Sequence, residues 1–222
     1  VPSPDTANPS TRVRRRTVLL GSVALVAFLI DLGTKLWAVD ALTGREPLKL
    51  FGGALYLTLA RNTGAAFSLG TDFTVIITIV MMTVVVGILV ISRKVLSTPW
   101  ALALGLVLGG ACGNLVDRLF RHPGPFRGAV VDFFSVFDPY GGFFAIFNVA
   151  DICIVGGGIF AALLALTGRE LDGTRTKDEN SASSNEKTSS ASESPESEAT
   201  QIEPDDSRAE GHSTHPDGQE RA

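Results

Sequence analysis

Four long apolar stretches dominate the first 168 residues of the chain, running from about Thr17 to Val39, Phe73 to Ile91, Trp100 to Leu119 and Phe143 to Leu166. Each approaches the roughly 20 residues that an α-helix needs to cross a bilayer. The second carries no charge. The others carry a few polar residues near one end: Asp31 and Lys35 in the first, Asn114, Asp117 and Arg118 in the third, Asn148 and Asp151 in the fourth. Between the first two stretches, Leu48-Lys49-Leu50-Phe51 and Leu55-Tyr56-Leu57-Thr58-Leu59 alternate in the manner of short strands joined at Gly52-Gly53, which predicts a small β-hairpin or cradle. The segment Arg121–Gly142 starts rich in Pro and Gly and then turns apolar at Phe133, Phe134 and Phe137. It reads as a half-buried interfacial element. The pattern predicts an all-α polytopic membrane protein with four transmembrane helices and a small β-cradle outside the bilayer.

Charge divides the chain near residue 168. The overall 45% hydrophobic content and net charge of −4 conceal a basic front part, with 13 Lys and Arg against 9 Asp and Glu, and an acidic end, with 6 against 14. Residues 169–222 hold seven apolar side chains and no aromatic ring. They cannot bury a core, so composition predicts a disordered tail. The expected organisation is a basic arm over 1–16, a membrane domain over 17–167 and an acidic tail over 168–222. Soluble globular enzymes, basic nucleic-acid binders and disulfide scaffolds are excluded as classes.

Basic clusters set the expected orientation. Arg12, Arg14, Arg15 and Arg16 precede the first span, Arg93 and Lys94 lie between the second and third, and Arg169 follows the fourth. The positive-inside rule puts these ends, and therefore both termini, in the cytoplasm. Arg45, Lys49, Arg61, Arg121 and Arg127 fall on the other side, so clustering carries the assignment rather than a clean contrast. Arg15-Arg16 before an apolar run also resembles an export signal. The length of that run, and the charges of Asp31 and Lys35 in its last turns, favour a retained span.

With this orientation, every polar residue within a span collects near the outer leaflet. Asp31 and Lys35 are spaced i, i+4; Asn114, Asp117 and Arg118 are spaced i, i+3, i+4; Asn148 and Asp151 are spaced i, i+3. Each helix thus offers one polar stripe, and Asp151 falls about 10 Å below the outer end of its span. Ionisable groups inside a membrane are costly and mark function by default. Gly105, Gly109 and Gly113, and Gly158 with Ala162, read as close-packing faces without a chemical role. So do Cys112 and Cys153, which act as small apolar residues assigned to neither disulfide nor metal.

The remaining chemistry belongs to carboxylates. Histidine occurs only at 122, 212 and 215, no serine lies in the polar stripes, and no His/Cys/carboxylate cluster has ligand spacing. Two aspartates brought together share a proton, because like charges a few ångströms apart resist ionising together. One can then activate water while the other protonates a leaving group, with no cofactor. The alternatives are a small proton-coupled transporter, with Asp31, Lys35 and Asp151 as a relay, and a non-catalytic scaffold whose acidic tail recruits partners. The apolar inner half of every span leaves the relay without a cytoplasmic half.

Five motifs carry a resemblance: Asp31-Leu32-Gly33-Thr34-Lys35, Arg61-Asn62-Thr63-Gly64-Ala65-Ala66-Phe67, Gly113-Asn114-Leu115-Val116-Asp117-Arg118, Val130-Val131-Asp132-Phe133 and Phe147-Asn148-Val149-Ala150-Asp151. In their order and with the four-span layout, over about residues 17–167, they resemble the five sequence boxes of bacterial lipoprotein signal peptidase, or signal peptidase II. The resemblance implies an intramembrane aspartyl peptidase of the inner membrane that cleaves diacylglyceryl-modified prolipoproteins just before the lipidated cysteine. Asp132 and Asp151 match the family's catalytic aspartates. Asn62, Asn114, Arg118 and Asn148 match residues that position substrate, and Asp31, Lys35 and Asp117 match structural polar positions. It also implies contact with membrane lipid, inhibition by the cyclic peptide globomycin, an outer β-cradle over residues 48–67 and an interfacial helix over about Phe133–Gly142. The acidic tail has no counterpart in the pattern.

Overall fold

The computed structural model describes residues 9–64 and 70–174. Residues 1–8 of the basic arm, 175–222 of the tail expected to be disordered, and positions 65–67 of the second motif lie outside them; the first residues of that tail, 168–174, are described and pack on the bundle end. In chain order the elements are helix α1 (Pro9–Leu42), strand β1 (Leu48–Leu50), a 3-10 turn (Phe51–Gly53), strand β2 (Leu55–Asn62), helix α2 (Gly70–Ser92), helix α3 (Thr98–Phe120), strand β3 (Val130–Val136) and helix α4 (Val149–Leu166). All four helices are long and apolar enough to cross a membrane.

The third helix is the axis of the bundle. Its best window has the lowest mean hydropathy of the four, 1.5, yet 50% of it is buried, against 17% in each of the others. Small residues explain this inversion. A Cβ on Gly105 would meet Leu20 O at 2.9 Å, and one on Gly109 would meet Ala24 O at 2.5 Å, so α1 packs directly on the backbone of α3. On the other side, Gly110 faces Ala150 O at 2.5 Å and Gly157 faces Ala103 O at 2.8 Å, which seats α4. Glycine at such crossings replaces side-chain bulk with backbone contact. The expected packing role of Gly158 is not observed, because nothing lies within 4 Å of its Cβ position. The neighbouring Gly157 makes the approach instead. Large apolar side chains such as Val18, Leu25, Ile79, Val90, Val155 and Leu163 point outward, as lipid-facing residues must.

At one end of the bundle the strands form a three-stranded antiparallel sheet in the order β1-β2-β3. Leu48 pairs with Leu57, and Leu55 with Val136. The register shifts between Leu57 and Ala60, so that Ala60 faces Asp132. The predicted hairpin is present, and β3 completes it. The interfacial helix implied over Phe133–Gly142 is absent. Its first residues belong to β3, where a β-branched and aromatic run pairs with β2. Its last residues form a turn in which Asp138 Oδ1 accepts from Tyr140 N and Gly142 N, both at 2.8 Å. The fourth span likewise starts later than the apolar pattern suggested. Residues 143–147 lie before the helix, with Phe147 bridged to Phe134 through N–H···O bonds of 3.0 and 2.8 Å. At the opposite end of the bundle, Leu171 O accepts from Leu96 N (2.9 Å) and Ser97 N (3.0 Å). Trp100 Nε1 donates to Arg169 O at 2.9 Å, closing that end.

The glycine contacts generate a paired expectation. Gly109→Ala pushes a methyl group into the backbone of α1 and should destabilise the protein by about 1–3 kcal/mol. Gly156→Ala, with nothing within 4 Å of its Cβ position, should leave stability unchanged or slightly raised. Thermal midpoints of the two purified variants in detergent check the contrast.

Candidate active site

The start of α4 is built around its own first turn. Asn148 is the N-cap: its Oδ1 accepts from Asp151 N at 3.0 Å, and Asp151 Oδ2 accepts in return from Asn148 N at 3.0 Å. This capping box satisfies donors that a helix start otherwise leaves orphaned. A third side chain joins from α1, because Asp31 Oδ1 accepts from Ala150 N at 2.9 Å. Asn148 is therefore a cap rather than a member of a helical stripe. Asp151 sits in the first turn, closer to the sheet end than the apolar pattern placed it.

Asp132 comes from the opposite direction, on β3. It is 1% exposed. Its Oδ2 accepts from Asn62 Nδ2 at 2.9 Å and its Oδ1 from Asn148 Nδ2 at 2.6 Å. Asn62 is itself held at the end of β2, with its Oδ1 accepting from Gly64 N at 2.8 Å. Burial is the main force on the Asp132 carboxyl and raises it from its ordinary 3.8 to about 7; the nearby charge of Asp151 pushes the same way, against the pull of the two asparagine amides. An acid so placed exchanges its proton at neutral pH.

Helix α3 supplies the groups between them. Asn114 donates through Nδ2 to Asp151 Oδ1 at 2.8 Å, while its Oδ1 accepts from Asn148 Nδ2 (3.0 Å) and Lys35 Nζ (2.8 Å). Lys35 Nζ also reaches Asp31 Oδ2 (2.8 Å) and Asp117 Oδ2 (3.0 Å). Asp117 pairs with Arg121 and accepts from Val131 N at 3.2 Å, which fixes the start of β3. Arg118, 4% exposed, donates through one terminal nitrogen to Asn62 O and Gly128 O, both at 3.2 Å. All nine residues singled out in the sequence thus lie in one connected polar cluster.

Some participants escaped the sequence reading. Arg121 stands four residues beyond Asp117, a spacing that offered the signal. Gly113 is more than a packing residue: a Cβ there would collide with the Asp31 carboxylate. Gly128 leaves room for the Asp117 backbone carbonyl in the same way, and nothing in the sequence pattern marks it. The turn before α4 was also missed as a wall. Phe144, Ile146 and Phe147, with Ile152, Val155 and Gly156 on α4, line a cavity of about 580 Å³ together with Asn62 and Asp151.

A buried carboxyl, Asp132, and a half-buried one, Asp151, thus share Asn148 beside an apolar cavity, and comparison with known proteins gives the fold a family. The family model for "Signal peptidase (SPase) II" matches residues 23–167. The chain belongs to the signal peptidase II family. Among its relatives, the lipoprotein signal peptidase of Streptomyces coelicolor is 49% identical over 168 residues, 76% of this chain and 80% of that protein. That of Mycobacterium tuberculosis H37Rv is 48% identical over 158 residues, 71% of this chain and 76% of the relative. A solved bacterial membrane enzyme, determined by the in meso method at 1.9 Å, superposes with a TM-score of 0.56 at 25% identity over 65% of this chain and 90% of its own. As a signal peptidase II, the protein is a multi-pass membrane enzyme of an aspartic peptidase family.

The ion cluster of this signal peptidase II makes its own prediction. Asp31→Leu strips the Lys35 ammonium of one carboxylate and leaves Ala150 N without an acceptor. Removing one partner of a buried pair costs about 3–5 kcal/mol. Thermal unfolding in detergent should show a correspondingly large drop in the midpoint.

Proposed function

We propose that this enzyme removes the signal peptide from diacylglyceryl-modified prolipoproteins, cutting just before the lipidated cysteine, with Asp132 and Asp151 as the catalytic pair. The observation that carries the reading is the shared hold on the two acids: Asn148 donates to Asp132 through its side chain and to Asp151 through its backbone. Two carboxyls held by one residue at the edge of an apolar cavity suit a substrate that is half peptide and half lipid.

In this reading the pair holds one proton. The ionised carboxylate takes a proton from water as the water oxygen attacks the scissile carbonyl carbon. The protonated partner donates a hydrogen bond to the carbonyl oxygen, which stabilises the tetrahedral intermediate. A proton then passes to the departing nitrogen as the C–N bond breaks, leaving a carboxyl on the signal peptide and a free amine on the lipidated cysteine. Asn62, Asn114 and Asn148 keep the carboxyls in place. Arg118 Nε, buried and without a partner, is a donor left over for a substrate carbonyl. The enzyme lies in the cytoplasmic membrane with both termini inside and the site near the outer leaflet. Residues 17–167 are the peptidase domain, flanked by the arm 1–16 and the tail 168–222. Lipid surrounds the cavity mouth, and globomycin competes for it.

Removal of a proton-transferring side chain lowers rates by about 100- to 10,000-fold, so Asp132→Asn and Asp151→Asn should each abolish the gel shift of a lipidated prolipoprotein while remaining folded. Substantial cleavage by both variants would sink the pair.

The pH dependence follows from the Asp132 carboxyl near 7. Its proton is present below that value and lost above it, so kcat/KM should fall on the alkaline side of about pH 7. The stability consequence has a definite sign. With a folded-state value raised above the unfolded one, deprotonation opposes folding increasingly as pH rises from 3.8 towards 7. Asp132→Asn, which cannot ionise, should lack that loss in thermal scans taken across the same window.

A further inference from the structure

The reaction as proposed leaves one buried charge without a task. Lys35 is 1% exposed and touches neither aspartate of the pair. Its ammonium has three N–H donors and no acceptor. Asp31 and Asp117 lie at 2.8 and 3.0 Å and answer its charge. A donor is spent on a neutral group, Asn114 Oδ1, at 2.8 Å. That contact decides which way round the Asn114 amide sits. An asparagine side chain is nearly symmetric in shape, and only its neighbours fix where oxygen and nitrogen go. A pure donor on one side obliges the oxygen to face it. The NH₂ group is thereby turned to Asp151 Oδ1, at 2.8 Å.

The same orientation propagates to the second acid. Asn114 Oδ1 also accepts from Asn148 Nδ2 (3.0 Å), which in turn donates to Asp132 Oδ1 at 2.6 Å. Asn148 Oδ1 is occupied by Asp151 N, so its amide is fixed in the matching sense. Each asparagine thus spends an N–H on one carboxylate, Asn114 on Asp151 and Asn148 on Asp132, while the bond between them runs from Asn148 Nδ2 to Asn114 Oδ1. With the Asn114 amide reversed, its oxygen would confront the oxygen of Asp151 and its NH₂ would confront that of Asn148. We infer that Lys35 is a positioning residue for the aspartate pair, acting through Asn114 to aim its NH₂ at Asp151 and to present its oxygen to the Asn148 amide that holds Asp132. The inference rests on the reading of Asp132 and Asp151 as the catalytic pair.

Its test must separate orientation from folding. Lys35→Met alone leaves the buried Asp31 carboxylate without a cation, Asp117 keeping only Arg121, and is expected to unfold in part. The informative variant is Asp31→Asn/Lys35→Met, which removes one charge of each sign and keeps an oxygen for Ala150 N. Its steady-state cleavage of a diacylglyceryl-modified prolipoprotein is measured beside wild type, Asp151→Asn, Asn114→Ala and the triple variant, with the folded fraction of each determined by thermal unfolding and rates scaled to it.

The expected result is a fall in kcat of about 100-fold, the size of effect that a 1 Å misplacement remote from the chemistry produces, with KM changed less than about twofold because Lys35 does not touch substrate. Since the effect passes through Asn114, adding the double substitution to Asn114→Ala should cost little more, whereas independent sites would multiply. Unchanged kcat in the folded fraction, or a KM effect in place of a kcat effect, or multiplying losses in the triple variant, would each overturn the inference. Failure of the double variant to yield any folded protein would also count against it, because a pair needed only for orientation should be dispensable to folding once its charge is balanced. Residual cleavage by Asp151→Asn would instead condemn the catalytic pair itself, a result the other variants cannot imitate.

Discussion

A buried ammonium group must have its charge answered, and in this protein the partners that answer it tie together the elements that meet at the site. Lys35 takes its partners from α1 and α3, and Asp31, one of those partners, reaches across to the Ala150 amide in the first turn of α4. Asp117, another, extends to the first residues of β3. Helices in lipid have no hydrophobic drive to associate, so close backbone packing and polar contacts must hold them. Here both operate on the same helix. The glycines of α3 bring the neighbouring backbones within van der Waals distance, and its last two turns carry the polar cluster that specifies their register.

That division of labour accounts for the composition of α3. A helix that contacts lipid all round can be uniformly apolar, as α2 nearly is. One buried on two sides needs small residues to be approached and polar residues to be held, and its hydropathy falls accordingly. Gly113 belongs to both sets, since its missing side chain is the space in which the Asp31 carboxylate sits.

Much of this was legible in the sequence, and the failures have physical causes. Four apolar runs gave the helices because lipid tolerates only segments that satisfy their own backbone. The polar residues gave the cluster because burial forbids them any other company. Hydrophobicity, however, does not distinguish a helix from an apolar turn. The apolar pattern therefore runs on through Phe143–Phe147, whereas the capping box at Asn148 sets where the helix starts. The same ambiguity made Phe133–Gly142 look compatible with an interfacial helix, although Val130 and Val131 already favoured a strand and Asp138 could close a turn. Contacts such as those of Gly128 depend on distant backbone and leave no local trace.

The twofold grip of Asn148 has a consequence for how the enzyme tolerates its solvent. Bilayers differ in thickness and lateral pressure, and spanning helices answer by tilting. If the separation of the two carboxyls depended on the mutual tilt of two helices, it would drift from one membrane composition to another. Instead, one carboxyl is bonded to the side chain of Asn148 and the other to its backbone, so the ruler between them is the covalent length of a single asparagine. In the proposed reading, the spacing of the acid pair is thereby tied to one residue at the start of α4 rather than to the mutual tilt of two helices.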